Sequence, residues 1–456
     1  MARDMLDAPV ITVIHHEFGN RKLEESPGYL EIYQPLVQSG IFKDVLLVNL
    51  PENLSRQEKY LKQKIPKIKK LIGQEPVVIY SAGQDTVNFL SLLSQLNVIA
   101  IADSDSNKWH RFVSIRNNKI PIIEPEKIKK YANTVLIFNR VYEEDIYNKL
   151  DNEYGESLTI FRTYGEKFYE KNRGKHERKI ATFLEKNKTD VVFYCPSSPL
   201  ETISSSFFKK LRKKFADLKF VTCWWDYEEV ADSVYLKFER ESLSYSDLVI
   251  DLSSNIRLER MRSRTHPYEF HSGADKAMFL PSPFCCERFH YRDVNAVYEI
   301  AVFGNAFGDR ARWIQILDDH YNGPSKRAFH HIGGIQSRGL SCDEYARSLS
   351  RTIICVNTQT ISNKPQCKGK VREALASGVF LLEEDNEETR SYLEDGQGLV
   401  YFNGEKDLKS KIDFYLERPD LRWEVISRGQ EFVRKRLNAK VWASSLLRAL
   451  GLPPLG

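Results

Sequence analysis

Between residues 368 and 385 the chain reads KGKVREALASGVFLLEED. Lys368, Lys370 and Arg372 fall just before or within the first turn of a helix, where free N–H groups and the helix dipole already favour an anion. An arginine fork and lysine point charges added there make a cradle for a diphosphate. Glu373 runs against that trend. It is either the salt-bridge partner of the three cations or an acceptor for the two hydroxyls of a ribose. A solvated helix start with internal ion pairs is the plain alternative for the whole cluster.

Other residue types that could do chemistry are scattered. His15 and His16 follow the strand-like PVITVI, and Glu25 lies in the loop after them; Asp226 ends the strand-like segment in CWWDYEE. His16, Glu25 and Asp226 are therefore candidates for accepting a proton, if the fold brings them to a substrate hydroxyl. Asp103-Ser104-Asp105 has the form of a metal-binding DxD, but it follows a strand and reads more simply as a strand end. The seven cysteines form no CxxC pair, and their odd number argues against a disulfide framework, so reduced structural thiols are expected.

Short apolar strands alternating with amphipathic helices must position these groups. PVITVI, VLLVNL, PVVIY, VIAIA, TVLIF, DVVFYC, FVTCWW and DLVIDL are each followed by helix-like chain, and so are YEIAVFGN, TIICVNTQ, GVFLLEED and GLVYFNG. This is the script of parallel α/β sheets. The pattern predicts two α/β lobes joined near residue 280 and, between them, a small Rossmann-like module. The expected division is an N-terminal lobe over 1–75 and 166–280, an insert over 76–165, and a C-terminal lobe over 281–456. Ligands of open α/β sheets sit at the carboxyl ends of the strands, here in a crevice between lobes.

Length and composition agree. The 456 residues exceed one hydrophobic core, and 42% apolar with 28% charged residues is an ordinary globular balance. A net charge of +5 is too mild for a dedicated nucleic-acid binder. No window approaches 18 uninterrupted apolar residues, and the first residues lack the layout of a signal peptide, so a cytoplasmic protein is expected. The basic runs KIPKIKK and FFKKLRKKF read as wet helix faces, with contact to an anionic membrane surface as the minority reading. In YSAGQDTVNFL only Gly83 is present of the three glycines of a dinucleotide loop, which favours a docking or homo-oligomerisation module over a nucleotide site.

Taken in order, these segments resemble the GT-B glycosyltransferases, most closely the CgeB-like (spore-maturation type) branch. HSGADKAMFLPSP resembles the hinge, YEIAVFGNAFGDRARWIQIL the first strand, glycine loop and Arg-bearing helix of the C-terminal lobe, and SCDEYARSLSRTIICVNTQ the helix and strand before the donor loop. KVREALASG is similar to the family's Arg-Glu-Ala-x-Ala-x-Gly, and FYLERPDLRWEVISRGQEFVRKR to its closing helices. DVVFYCPSSPLETI and FVTCWWDYEE match more loosely.

The resemblance implies a GT-B fold of two Rossmann-like lobes, with the module at 76–165 as an addition. It implies an enzyme that moves a sugar from a nucleotide-diphosphate sugar to a glycan, lipid-linked or protein acceptor, with no metal or other cofactor required. Glu373 would hold the donor ribose, Lys370 and Arg372 would neutralise the diphosphate, Gly304 and Asn305 would offer backbone N–H groups, and Arg310 would add charge. His16 would lie where the first N-terminal loop meets acceptor and donor sugar. One departure stands out: the related retaining enzymes carry a second glutamate eight residues before the Glu373 position, and here that place is Pro365. Retaining and inverting outcomes both stay open, and a non-catalytic assembly or sensing protein built on a GT-B shell is the alternative.

Overall fold

The computed structural model describes residues 8–453 except 17–22, 27, 51–53, 117, 141, 197–202, 226–233, 266–272, 284–287, 307, 323–326, 334–339 and 361–364. Its strands fall into three sheets. β1 (Val10–His16) and β2 (Asp44–Leu50) open the N-terminal lobe. The inserted module follows with β3 (Val77–Tyr80), β4 (Val98–Ala102), β5 (Phe112–Ile115), β6 (Asn118–Ile123), β7 (Thr134–Ile137) and β8 (Thr159–Arg162). The chain then returns with β9 (Val191–Cys195), β10 (Lys219–Trp224), β11 (Leu248–Asp251) and β12 (Ala277–Phe279). The C-terminal lobe holds β13 (Tyr298–Phe303), β14 (Phe329–Ile332), β15 (Thr352–Asn357), β16 (Phe380–Glu384) and β17 (Leu399–Phe402).

The N-terminal sheet has the order β12-β11-β10-β9-β1-β2 and the C-terminal sheet β14-β13-β15-β16-β17; every pairing in both is parallel. The module is ordered β5-β6-β4-β3-β7-β8, parallel except for the β5–β6 hairpin. Buried parallel strands read as continuous apolar runs, which is why VITVI, VVFYC and FLLEE were visible as strands.

Two helices lie elsewhere than the expected boundaries put them. The helix Leu54–Ile72 buries Leu61, Ile65, Ile68 and Ile72 against Val77, Ile79 and Leu136, so it belongs to the module, which therefore begins well before residue 76. Its apolar stripe at i, i+4, i+7 and i+11 has no other surface to cover, and each such side chain contributes about 1.5–3 kcal/mol when buried. At the other end, the helix Ala439–Ala449, capped by Asn438, leaves the C-terminal lobe. Trp442, Ala443, Leu446 and Leu447 pack with Ile11, Val13, Leu36 and Phe193 in the core of the N-terminal lobe. The C-terminal lobe thus ends before the chain does, and the last helix straps the lobes together.

Candidate functional site at the lobe junction

The carboxyl end of β13 runs into Gly304, whose φ of +104° only glycine adopts readily. A Cβ at this position would lie 2.4 Å from Lys370 Nζ, so the missing side chain is what lets the lysine reach the strand end. Lys370 comes from the helix Gly369–Ser377, within the charged segment 368–385, and its ammonium donates to the carbonyl of Phe303. That uses one of three N–H donors. Arg310, in the first turn of the helix Asp309–Tyr321, lies across the same loop and is 6% exposed. Its Nη2 donates to Thr358 O at 2.9 Å, while its buried Nε has no hydrogen-bond partner among the described residues. His331, at the end of β14, bonds Gly304 O through Nε2 at 2.7 Å and fixes the loop from the other side.

Burial brings the Lys370 ammonium down to about 8; the nearby Arg310 pushes the same way and Glu373 opposes. Desolvation likewise lowers the Arg310 guanidinium, against the pull of Glu383 and Glu384. Two crowded cations with unused donors make a site that gains by taking up an anion. Glu373 stands one helical turn beyond Lys370. Its Oε2 accepts from the hydroxyl of Tyr345 at 2.7 Å, and burial raises its carboxyl above the ordinary range.

The structure separates the other residues of the charged segment. Arg372 reaches toward the N-terminal lobe, 3% exposed, with Nη2 at 3.5 Å from both Glu31 Oε2 and Ser282 Oγ; like Glu373 Oε1, it lies 3.7 Å from where a Cβ on Gly369 would sit. Ser282 itself donates to Glu31 at 2.9 Å. Arg372 therefore joins the helix Gly369–Ser377 to the N-terminal lobe instead of lying beside Lys370. The Lys368 side chain donates to Gln366. Asn305 is exposed on the loop after Gly304, and Pro365 is half-buried shortly before the helix Gly369–Ser377.

On the N-terminal side, His16 is 1% exposed, with its ring edge-on to His176 and Tyr194 at centroid distances of 5.5 and 5.8 Å. Burial, with His176 and His15 adding to it, keeps the imidazole neutral. Base work by His16 requires an acceptor to reach a ring that the strand end covers. Glu25 closes the short turn Leu23–Glu25, and its side chain lies outside the described residues, as does all of Asp226.

Two groups that sequence reading passed over complete the site. Tyr345 carries the bond to Glu373. Glu383, 0% exposed at the end of β16, accepts from Asn357 at 2.7 Å and Asn386 at 3.2 Å, and burial pushes its carboxyl up to about 8. Gln359, clipped to Gln366 by reciprocal bonds of 3.1 and 3.2 Å, ties the chain before the helix Gly369–Ser377 to the same carboxylate. Helical geometry could have separated Arg372 from Lys370 in advance. Residues two apart on a helix point about 200° apart, while Lys370 and Glu373, three apart, share a face. The lobes are also joined by Glu388, which accepts from Asn255 N at 2.8 Å and Ile256 N at 3.2 Å and so caps the helix Asn255–Arg262 of the opposite lobe.

In the module, the carboxylate of Asp103 is taken up internally by Ala82 N at 2.6 Å, Asp105 N at 2.9 Å and Lys108 Nζ at 3.1 Å, in keeping with a strand-end role for the DxD look-alike. Among the described residues no group of three or more His, Cys, Asp and Glu side chains could hold a metal ion, and no helix is long and apolar enough to cross a membrane.

Two lobes with parallel sheets, in contact through Glu31 and Glu388 and strapped by a returning C-terminal helix, define the GT-B fold. Residues 294–448 match the family model described as glycosyl transferase-like. Among solved structures, that of TarM is similar at 11% identity and a TM-score of 0.53, covering 98% of this chain and 99% of that one. A variant of S. aureus TarM, in complex with fondaparinux, α-GlcNAc-glycerol and UDP, is similar at 13% identity and a TM-score of 0.50, over 97% and 99% of the two chains. Anabaena HepE in complex with UDP aligns at 10% identity and a TM-score of 0.44, over 83% and 99%. No curated protein matches the sequence.

Proposed function

We propose that this protein is a glycosyltransferase that takes a sugar from a nucleoside-diphosphate donor bound to the C-terminal lobe and passes it to a hydroxyl of an acceptor held by the N-terminal lobe. The observation that carries this reading is the meeting of two cations at Gly304: Lys370 with unused donors, one helical turn before Glu373, and Arg310, whose buried Nε has no partner among the described residues. In transfer, the bond from the sugar's anomeric carbon to the diphosphate breaks and a bond from that carbon to the acceptor oxygen forms. The leaving group keeps the electron pair, and its added charge falls between Lys370 and Arg310, cations already desolvated and in place. Glu373 accepts from the ribose hydroxyls. The acceptor's proton passes to a carboxylate of the N-terminal lobe, Glu25 or Asp226. These cations suffice for the departing charge, so the reading needs no metal.

The glycosyl transferase-like match over 294–448 supports the reaction class. The UDP and α-GlcNAc-glycerol in the TarM complex support a uridine donor and a glycan or glycan-like acceptor. The resemblance of KVREALASG to the CgeB-like branch supports placement near it. Pro365, where related enzymes carry a glutamate, favours the alternative of a shell that binds without transferring. A panel of UDP-, GDP-, ADP- and dTDP-sugars, assayed for released nucleoside diphosphate and by thermal shift, separates the two readings. Transfer predicts one donor that is turned over slowly even by water and whose turnover Lys370→Met abolishes. A shell predicts stabilisation without release, and no stabilisation by any donor refutes both.

A further inference from the structure

Glu373 is held from behind by a residue of another element. Tyr345 belongs to the helix Cys342–Ser350, whose first turn is fixed by a capping box between Ser341 and Glu344. The phenol ring meets Phe303 and Phe289 edge-on, at centroid distances of 5.3 and 5.6 Å, so one ring from the end of β13 and one from the segment before it confine its direction. Its hydroxyl then reaches Glu373 Oε2 at 2.7 Å. With Oε2 engaged from the protein side, Oε1 faces the start of the helix, 3.7 Å from where a Cβ on Gly369 would lie. A ribose presents two adjacent hydroxyls, and accepting from both demands a carboxylate whose plane is set before the ligand arrives. A carboxylate free to rotate about its last bond must first be ordered, and that ordering weakens binding.

We infer that Tyr345 is a positioning residue that fixes the plane of the Glu373 carboxylate and thereby sets the preference of the site for ribonucleotides over 2′-deoxyribonucleotides. The inference rests on the reading of Glu373 as the ribose-binding group. The same bond bears on protonation. Burial raises the Glu373 carboxyl and the Tyr345 hydrogen bond is the leading counterweight; Glu31 of the facing lobe raises it further, and Arg372 and Lys370 of its own helix lower it. Removing the phenol hydroxyl lifts the carboxyl again, so a ribose-binding carboxylate is lost at a higher pH on acidification.

The test is isothermal titration of wild type, Tyr345→Phe and Glu373→Gln with UDP, GDP and ADP and with their 2′-deoxy counterparts, at pH 7.5 and 5.5. Wild type is expected to favour its ribonucleotide by about tenfold, and Tyr345→Phe to lose most of that margin while binding the deoxynucleotide as before, since one hydrogen bond to a charged group is at stake. The loss is expected to be larger at pH 5.5. A Tyr345→Phe protein that keeps the wild-type ratio, or weakens both ligands equally, overturns the inference. If Glu373→Gln loses ribonucleotide affinity in the same experiment, the ribose reading survives and only the role of Tyr345 falls. If wild type binds none of the nucleotides, both are overturned.

Discussion

Lys370 yields the sharpest quantitative expectation. The ammonium is brought down to about 8 by burial and by Arg310, and in the proposed reaction it holds a diphosphate only when charged. The sign follows directly. Below pH 8 the lysine of the free protein is already protonated and nucleotide affinity is independent of this group; above it, binding must first take up a proton and affinity falls by up to tenfold per pH unit. Between pH 7 and pH 9.5 the dissociation constant for UDP is therefore expected to rise by about 30-fold, from the ratio of neutral to charged lysine at a free-site value of about 8. Titrations in buffers of different ionisation enthalpy should show proton uptake on binding at pH 9 and none from this group at pH 7. Lys370→Arg should bind at pH 9.5 no more weakly than at pH 7, because a guanidinium stays charged there. Lys370→Met should bind weakly at every pH and lack the alkaline limb. An affinity that is flat from pH 7 to 9.5 in wild type, or an alkaline limb that persists in Lys370→Met, would rule out a charge-dependent contact of Lys370 with the nucleotide.

Other consequences follow from the same geometry. Gly304→Ala places a Cβ 2.4 Å from Lys370 Nζ at a φ of +104°, so it should displace the ammonium and abolish UDP binding with the circular-dichroism spectrum unchanged; retained affinity contradicts the close approach. Glu383, ordinarily 4.5 and raised by burial to about 8, favours its protonated form in the fold, so its contribution is greatest below pH 4.5 and is lost as pH rises toward 8. Between pH 5.5 and 9 this amounts to about 3 kcal/mol, and Glu383→Gln should remove most of that dependence in thermal melts. Melts that depend on pH as in wild type would count against a buried, protonated Glu383. Arg372→Met and Glu31→Gln should each leave UDP affinity within about twofold, and together should cost no more stability than the worse single change, with a coupling of about 1 kcal/mol for this partly exposed pair. A collapse of UDP affinity in Arg372→Met would return that arginine to the phosphate site.

Much of this architecture was legible in the sequence because parallel strands buried on both faces write themselves as short apolar runs. The helix Gly369–Ser377 was legible too, from its charged start to the stop at Gly378, whose φ of +69° closes it. What escaped was information carried by contacts between distant segments. The helix Leu54–Ile72 shows an apolar stripe but not which sheet the stripe covers, so the module was drawn too short. The helix Ala439–Ala449 looks like any closing helix until Trp442 is seen against Phe193. In the site, Lys370 and Arg310 meet at Gly304, and Glu373 stands one turn further along the helix Gly369–Ser377. Tyr345 and Glu383 carry no motif; a tyrosine in an amphipathic helix and a glutamate at a strand end acquire meaning only through the side chains they meet.

A crystal structure of the protein soaked with UDP decides whether Gly304, Arg310 and Lys370 hold the pyrophosphate of a nucleotide, as proposed. Diphosphate oxygens are expected within hydrogen-bond distance of Lys370 Nζ and Arg310 Nε, with the ribose hydroxyls on Glu373. A nucleotide bound on another surface, with Lys370 still held only by the carbonyl of Phe303, would contradict the proposal.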